Sequence, residues 1–119
     1  MNSENRNAVR YDDMGKVYCP EICPLHGGLD NISKTGCKVH FPLTVTVDLE
    51  NEYEIRITLA KKPNDSPLVM MCKPQWVREC ENTTEVGFLL MYSPDQNRYA
   101  AYVAELEEAE KENNFPEII

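Results

Sequence analysis

Two short groups of residues in the first third of the chain have the types and spacing to bind a phosphorylated ligand. Arg6 and Arg10 are four positions apart, so both guanidinium groups lie on one side of a helix or of an extended arm. A guanidinium group binds phosphate through two parallel hydrogen bonds and also stacks on purine rings. The pair therefore suits a ligand that carries two phosphates.

The second group is the sequence Asn-Ile-Ser-Lys-Thr-Gly at residues 31–36. Asn31 can cap a turn or recognise a ligand, and Ser33 offers a hydroxyl group. Gly36 permits either a positive φ or a close approach of its backbone to another group. Because backbone N–H groups in such turns form concave anion sites, this sequence predicts a turn that could hold a phosphate.

The same stretch also contains a pattern that resembles a zinc site. Cys23 precedes His26 by three positions, and Cys37 precedes His40 by three. Tight turns bring such pairs to one metal ion, but two residues three apart on a strand point to opposite faces of the sheet. We therefore predict no metal and interpret the cysteines as small buried hydrophobes. A zinc-stabilised structural or interaction module, with Cys19 as a further ligand, is the alternative.

Charge and composition restrict the classes of function. The net charge is −8, and residues 1–40 contain five basic and five acidic residues, so the whole excess lies in residues 41–119. This balance argues against binding to DNA or RNA and places any site for a small anion in the first third. No apolar run is long enough to span a bilayer, so we expect no membrane insertion. No arrangement of residues suggests catalysis, so we expect no enzyme.

The cysteines and the first residues predict the compartment. The chain has five cysteines, an odd number, and its first ten residues contain no apolar export signal. Both features favour reduced thiols and a cytoplasmic protein.

The elements that must position these residues are mainly strands. Apolar and polar residues alternate over 43–50 and 53–60, which predicts two strands with one buried face each. Residues 68–80 predict one long strand interrupted near Pro74, and residues 86–92 predict another. Shorter strands flank the turn, which gives five or six in total. On a small chain this number favours a closed or nearly closed barrel.

One helix is predicted after the strands. Ser93 is a candidate N-cap, Pro94 fits the first helical position, and Gln96 completes a capping box. Apolar residues then recur at spacings of three and four, which predicts an amphipathic helix of about four turns. These residues are Tyr99, Tyr102, Val103, Leu106 and Ala109. We divide the chain into a flexible arm (1–15), a barrel with its helix (16–112) and a tail (113–119).

Taken together, the two motifs and the strand pattern resemble the PilZ domain family, receptors for the bacterial second messenger cyclic di-GMP. The family pattern is R-x-x-x-R on an N-terminal arm, followed by [D/N]-x-S-x-x-G at a strand-turn-strand junction. Later stretches resemble the family's strands, and the resemblance spans roughly residues 5–112. The matching motif residues are Arg6, Arg10, Asn31, Ser33 and Gly36.

The resemblance implies a mainly β fold, a six-stranded antiparallel barrel flanked by a C-terminal helix. It also implies that Arg6 and Arg10 clasp the phosphates and stack on guanines. Asn31, Ser33 and Gly36 would form the opposing surface, with Trp76 as a neighbour. Many family members carry Asp where Asn31 stands.

The expected function is that of a receptor without catalysis or cofactor. Cyclic di-GMP would order the N-terminal arm and create a surface that an unidentified downstream protein reads. The alternatives are the zinc-stabilised module and a PilZ-like adaptor that binds no ligand.

Overall fold

The computed structural model describes residues 8–114, with side chains up to residue 112. These residues form seven strands and one helix. The elements are β1 (Tyr11–Asp12), β2 (Lys16–Tyr18), β3 (Gly27–Ile32), β4 (Gly36–Phe41), β5 (Tyr53–Thr58), β6 (Leu68–Cys80), β7 (Thr83–Leu90) and α1 (Gln96–Asn114).

Six of the strands close into an antiparallel barrel, as predicted. The order is β3-β2-β5-β6-β7-β4, and β4 pairs with β3 to complete the circle. The short strand β1 pairs with β3 beyond the end of β2, with Tyr11 opposite Ile32. Closure leaves the six strands without a free edge, which a small sheet would otherwise have to protect.

The core lies inside the barrel and is built by alternation along the strands. On β5, for example, Tyr53, Ile55 and Ile57 are buried while Glu54 and Arg56 are exposed. Burying one such aliphatic side chain contributes about 1.5–3 kcal/mol. Every strand of the barrel provides at least one fully buried side chain: Val17, Ile32, Val39, Ile55, Met70 and Val86.

The long strand β6 has an irregularity near Pro74, where an interruption was predicted. The strand runs unbroken over 13 residues, but its register against β7 shifts between Pro74 and Trp76. Proline has no N–H group to give to a ladder, and a bulge is one of the few places where a strand tolerates it.

The strand predicted over residues 43–50 is wrong. Residues 44–48 form no turn or bend, and Val45 and Val47 pack half-buried against the core, but no strand of residues 8–114 lies beside them. The hydroxyl group of Thr84 accepts a hydrogen bond from the Val45 N–H and donates one to the Leu43 carbonyl, both at 3.0 Å. The alternating pattern correctly predicted that one face of this segment is buried. Its backbone, however, forms hydrogen bonds with a side chain rather than with a neighbouring strand.

Helix α1 packs against the barrel through the face predicted from its spacing. Tyr99, Tyr102, Val103 and Leu106 are all buried. Half of the predicted capping box is present, because the Ser93 N–H donates to the side chain of Gln96 at 3.3 Å.

The Ser93 hydroxyl group serves a different purpose from the predicted cap. It accepts a hydrogen bond from the Met71 N–H at 2.8 Å and lies 2.7 Å from the Met91 carbonyl oxygen. These bonds tie the start of the helix to β6 and to the residue after β7.

The division into arm, barrel and tail stays a prediction, since residues 1–7 and 115–119 lie outside the described residues. In the described part of the chain, the segment predicted as an arm already contains Tyr11–Asp12, which pair with β3, and the buried Asp13. At the other end, α1 continues to Asn114, past the predicted start of the tail. The described residues contain no helix of the length and hydropathy needed to cross a membrane.

Candidate functional site

The turn between β3 and β4 is held by hydrogen bonds made within it. The Ser33 N–H donates to the Gly36 carbonyl at 2.8 Å. The Ser33 hydroxyl oxygen accepts hydrogen bonds from the N–H groups of Thr35 and Gly36, both at 3.2 Å. Ser33 is fully buried, so its hydroxyl group fixes the shape of the turn rather than facing solvent.

Helix α1 supports the turn from beneath. The hydroxyl group of Tyr99 lies 2.8 Å from the Ser33 carbonyl and 2.9 Å from the Gly36 carbonyl, and it donates to this pair of acceptors. Burial raises the pKa of Tyr99 well above its ordinary value, and the thiols of Cys37 and Cys72 raise it further. The phenol therefore stays a donor. The helical spacing predicted Tyr99 as a core residue but gave no sign of this contact.

Gly36 is required by a close approach rather than by a positive φ. The glycines of the described residues all lack a positive φ. A Cβ at Gly36 would lie 2.1 Å from the carbonyl oxygen of Phe88 on β7. In addition, the Leu90 N–H donates to the Thr35 carbonyl at 2.9 Å, which fastens the turn to the end of β7.

Arg10 reaches the turn from the N-terminal side. Pairing of β1 with β3 places Asp12 opposite Asn31, so Arg10 emerges beside the turn. One guanidinium nitrogen of Arg10 donates to the side-chain oxygen of Asn31 at 2.9 Å. Both residues are accessible, and the Arg10 side chain makes no other hydrogen bond to the described residues. Arg6, the other predicted arginine, lies outside the described residues.

Trp76 stands on the other side of the turn. The bulge in β6 places it opposite Gly87, and its indole ring occupies the space a side chain there would need: a Cβ at Gly87 would lie 2.2 Å from Nε1. The residue is 42% exposed, so one part of the ring remains open to solvent.

Arg10, Gly36 and Trp76 line a single cleft. Among the described residues lining it, Arg10 alone is charged, so no carboxylate there would repel an anion. An arginine fork, a tight turn and an exposed aromatic ring are the groups that bind phosphate and a stacked base. Of the six predicted site residues, three therefore share a cleft, Asn31 is bonded to one of these, Ser33 shapes the turn beneath, and Arg6 is not described.

The residues of the alternative zinc site point in different directions. Cys37 is buried in the core, whereas His40 lies on the outer face of β4 and bonds Asp30 at 2.6 Å. Cys23 is likewise buried, while the ring of His26 is exposed, 4.9 Å from that of Tyr18. Within residues 8–114, no group of three or more His, Cys, Asp or Glu side chains is arranged to hold a metal ion.

Comparison of the sequence with known protein families agrees with the fold described above. The sequence model of the PilZ domain matches residues 4–105, most of the chain, so this chain belongs to the PilZ domain family. That is a family of cyclic di-GMP receptors, and its domains are ligand-binding regulatory domains rather than enzymes.

A solved structure with the same fold is that of the Bacillus subtilis inhibitor of motility, MotI/DgrA. The TM-score is 0.69 at 14% identity, and the match covers 87% of this chain and 51% of that one. At this identity the likeness concerns the fold alone, and this chain spans about half the length of the other. No curated protein matches the sequence.

Proposed function

We propose that this chain is a receptor for cyclic di-GMP that acts in the bacterial cytoplasm without catalysis or cofactor. In this proposal Arg6 and Arg10 bind the phosphates and stack on guanine. Asn31 and the turn ending at Gly36 hold the opposite side of the ligand, and Trp76 packs against a base.

The observation that carries the proposal is the convergence of separate motifs on one cleft. Arg10 lies 21 positions before Asn31 in sequence, yet the two side chains are joined at 2.9 Å. Trp76 comes from a third part of the chain and borders the same cleft. The Arg10 guanidinium group and part of the Trp76 ring are exposed beside the turn, where one ligand can reach both.

Binding would use a fixed surface and a movable one. The turn is held by its own hydrogen bonds and by Tyr99, so binding would need little reorganisation there. Arg10 must exchange Asn31 for a phosphate, which frees the Asn31 amide to meet a guanine edge. Ordering the arm costs conformational entropy, which the charge-assisted hydrogen bonds to phosphate offset.

The response would pass to another protein through the surface formed by the ordered arm. Arg10 is three residues from Asp13, whose buried carboxylate accepts a hydrogen bond from Tyr102 on α1. A change in the arm would thus reach the helix through Asp13. The identity of the downstream protein is open to capture experiments with the liganded receptor.

The decisive experiment is isothermal titration of the purified protein with cyclic di-GMP. We expect saturable binding that weakens by at least about 100-fold in Arg6→Ala/Arg10→Ala, because two charged hydrogen-bonding groups are lost. Arg56→Ala is the matched control: it removes an exposed arginine from β5, outside the cleft, and should bind as the wild type does.

Tryptophan fluorescence gives an independent readout, since Trp76 is the only tryptophan of the chain. Saturation with cyclic di-GMP should change its emission, and guanosine monophosphate at the same concentration should change it far less. Absence of binding by a folded wild-type protein would overturn the receptor proposal in favour of the adaptor, and zinc content would then be measured.

A further inference from the structure

The segment that follows the bend at Leu43 has the residue types and the burial pattern of a strand, but no strand of the described residues lies beside it. Residues 44–48 alternate between exposed and half-buried positions, with no turn or bend. The residues are those that favour strands: valine and threonine in strict alternation. Nothing in the proposed binding of a dinucleotide uses this segment.

One edge of the segment is occupied at Leu43 and Val45. The other edge is free at Thr44 and Thr46 and ends at Asp48, whose N–H donates to the Tyr53 hydroxyl group at 3.0 Å. Backbone groups of alternate residues in an extended chain point to opposite edges. The main-chain groups of Leu43 and Val45 point toward Thr84, which bonds both. Thr44 and Thr46 therefore present their N–H and C=O groups to the opposite edge, where none of the described residues bonds to them.

The free edge also lacks the usual protection against pairing. Exposed edges in soluble proteins normally carry lysine or another charge, or a bulge. Residues 41–47 contain no charged residue, and the first charge, Asp48, follows directly after the segment. Leu43, next to this edge, is 40% exposed.

The sequence of the segment identifies what fits the edge. Leu-Thr-Val-Thr-Val reads almost identically in both directions about Val45. In an antiparallel pair with a second copy, Thr44 would lie opposite Thr46 and Leu43 opposite Val47. Like residue types meet at each position, no charge meets a like charge, and a two-fold axis requires this self-complementarity.

We propose that two copies of this chain pair antiparallel through the free edges of Leu43–Val47, with Val45 on the two-fold axis. Thr44 of each copy then exchanges both backbone hydrogen bonds with Thr46 of the other. Such a short strand pair buries far less than the roughly 1,200 Å² of a standard stable interface, so the dimer is weak and forms at micromolar to millimolar concentrations.

Sedimentation equilibrium across that concentration range tests the proposal. The wild-type protein should show a reversible monomer–dimer equilibrium. Thr46→Pro removes a donor from the free edge in each copy and should raise the dissociation constant at least about tenfold. Thr46 is exposed and its N–H bonds to none of the described residues, so proline removes no hydrogen bond from the monomer. The matched control Thr46→Val keeps the N–H group and should dimerise as the wild type does.

A second variant and a second readout guard against a misfolded proline variant. Thr44→Lys/Thr46→Lys leaves the backbone unchanged but places like charges across the axis, and it should also be monomeric. Hydrogen exchange at the amides of Thr44 and Thr46 should slow as the wild-type concentration rises. A wild-type protein that is monomeric throughout the range, or variants that dimerise normally, would overturn the proposal.

Discussion

The two halves of the candidate site differ in how firmly the protein holds them. The turn is fixed from three directions: by the Ser33 hydroxyl, by Tyr99 of α1 and by the close backbone of β7 at Gly36. The arm presents Arg10 through one exposed hydrogen bond to Asn31. The turn is therefore an integral part of the folded barrel, whereas the Arg10 side chain is held at the turn by a single exposed hydrogen bond.

This difference separates stability from binding. A buried group whose hydrogen bonds are removed costs the fold the full desolvation penalty, whereas an exposed group is solvated once it is released. Substitutions in the turn should therefore damage folding and binding together, and substitutions in the arm should damage binding alone. Substitutions at Gly36, Tyr99, Arg10 and Asp95 test that distinction.

The largest effect is expected from Gly36→Ala. The new Cβ would meet the Phe88 carbonyl oxygen at 2.1 Å, so β4 and β7 must separate locally. We expect a loss of about 2–3 kcal/mol in the free energy of unfolding, measured by urea denaturation, together with weaker binding. Gly28→Ala is the matched control, because the atoms nearest to its Cβ would belong to the His40 ring, an exposed side chain that can shift, rather than to backbone. Equal stability of the two variants would contradict the assigned role of Gly36.

Tyr99→Phe should have an intermediate effect. It deletes the donor shared by the Ser33 and Gly36 carbonyls without opening a large cavity. We expect a loss of about 1–2 kcal/mol in stability and a smaller loss of affinity, because the turn then relaxes. Tyr92→Phe, at an exposed tyrosine, should leave both quantities unchanged. Full stability of Tyr99→Phe would show that the helix does not hold the turn.

Arg10→Ala should weaken ligand binding without lowering the stability of the fold, unlike the substitutions in the turn. Affinity for cyclic di-GMP should fall by about 10- to 100-fold, as expected for a charged hydrogen bond, while the stability should change by less than about 0.5 kcal/mol. Arg10→Lys keeps the charge but loses the planar fork, and its affinity should lie between those of alanine and the wild type. A destabilised Arg10→Ala protein would remove the distinction between arm and turn.

A sequence pattern predicts structure well when the residues that form the pattern also make the contacts with each other. The barrel and helix were predictable because alternation and helical spacing report which face is buried. The turn was predictable because Ser33 and Gly36 bond to each other across three positions. The strand predicted over residues 43–50 was wrong because alternation does not show what forms hydrogen bonds with the backbone. Here it is the hydroxyl group of Thr84 rather than a second strand. Tyr99 and Asp13 were missed as anchors because their partners are 63 to 89 positions away.

The smallest effect concerns the start of helix α1, which carries Tyr99. The Val69 N–H donates to the Asp95 carboxylate at 2.7 Å and, with Arg98 at 3.3 Å, holds its pKa below the ordinary value. A folded-state pKa below the unfolded one stabilises the protein above the ordinary value of about 3.9, and this stabilisation is lost as the pH falls through the folded-state pKa. The free energy of unfolding should therefore fall more steeply below about pH 5 in the wild type than in Asp95→Asn, which keeps an acceptor but cannot titrate. Glu112→Gln, on the exposed side of the same helix, should retain the wild-type slope. If Asp95→Asn also retains the wild-type slope, titration of Asp95 does not contribute to the loss of stability at low pH.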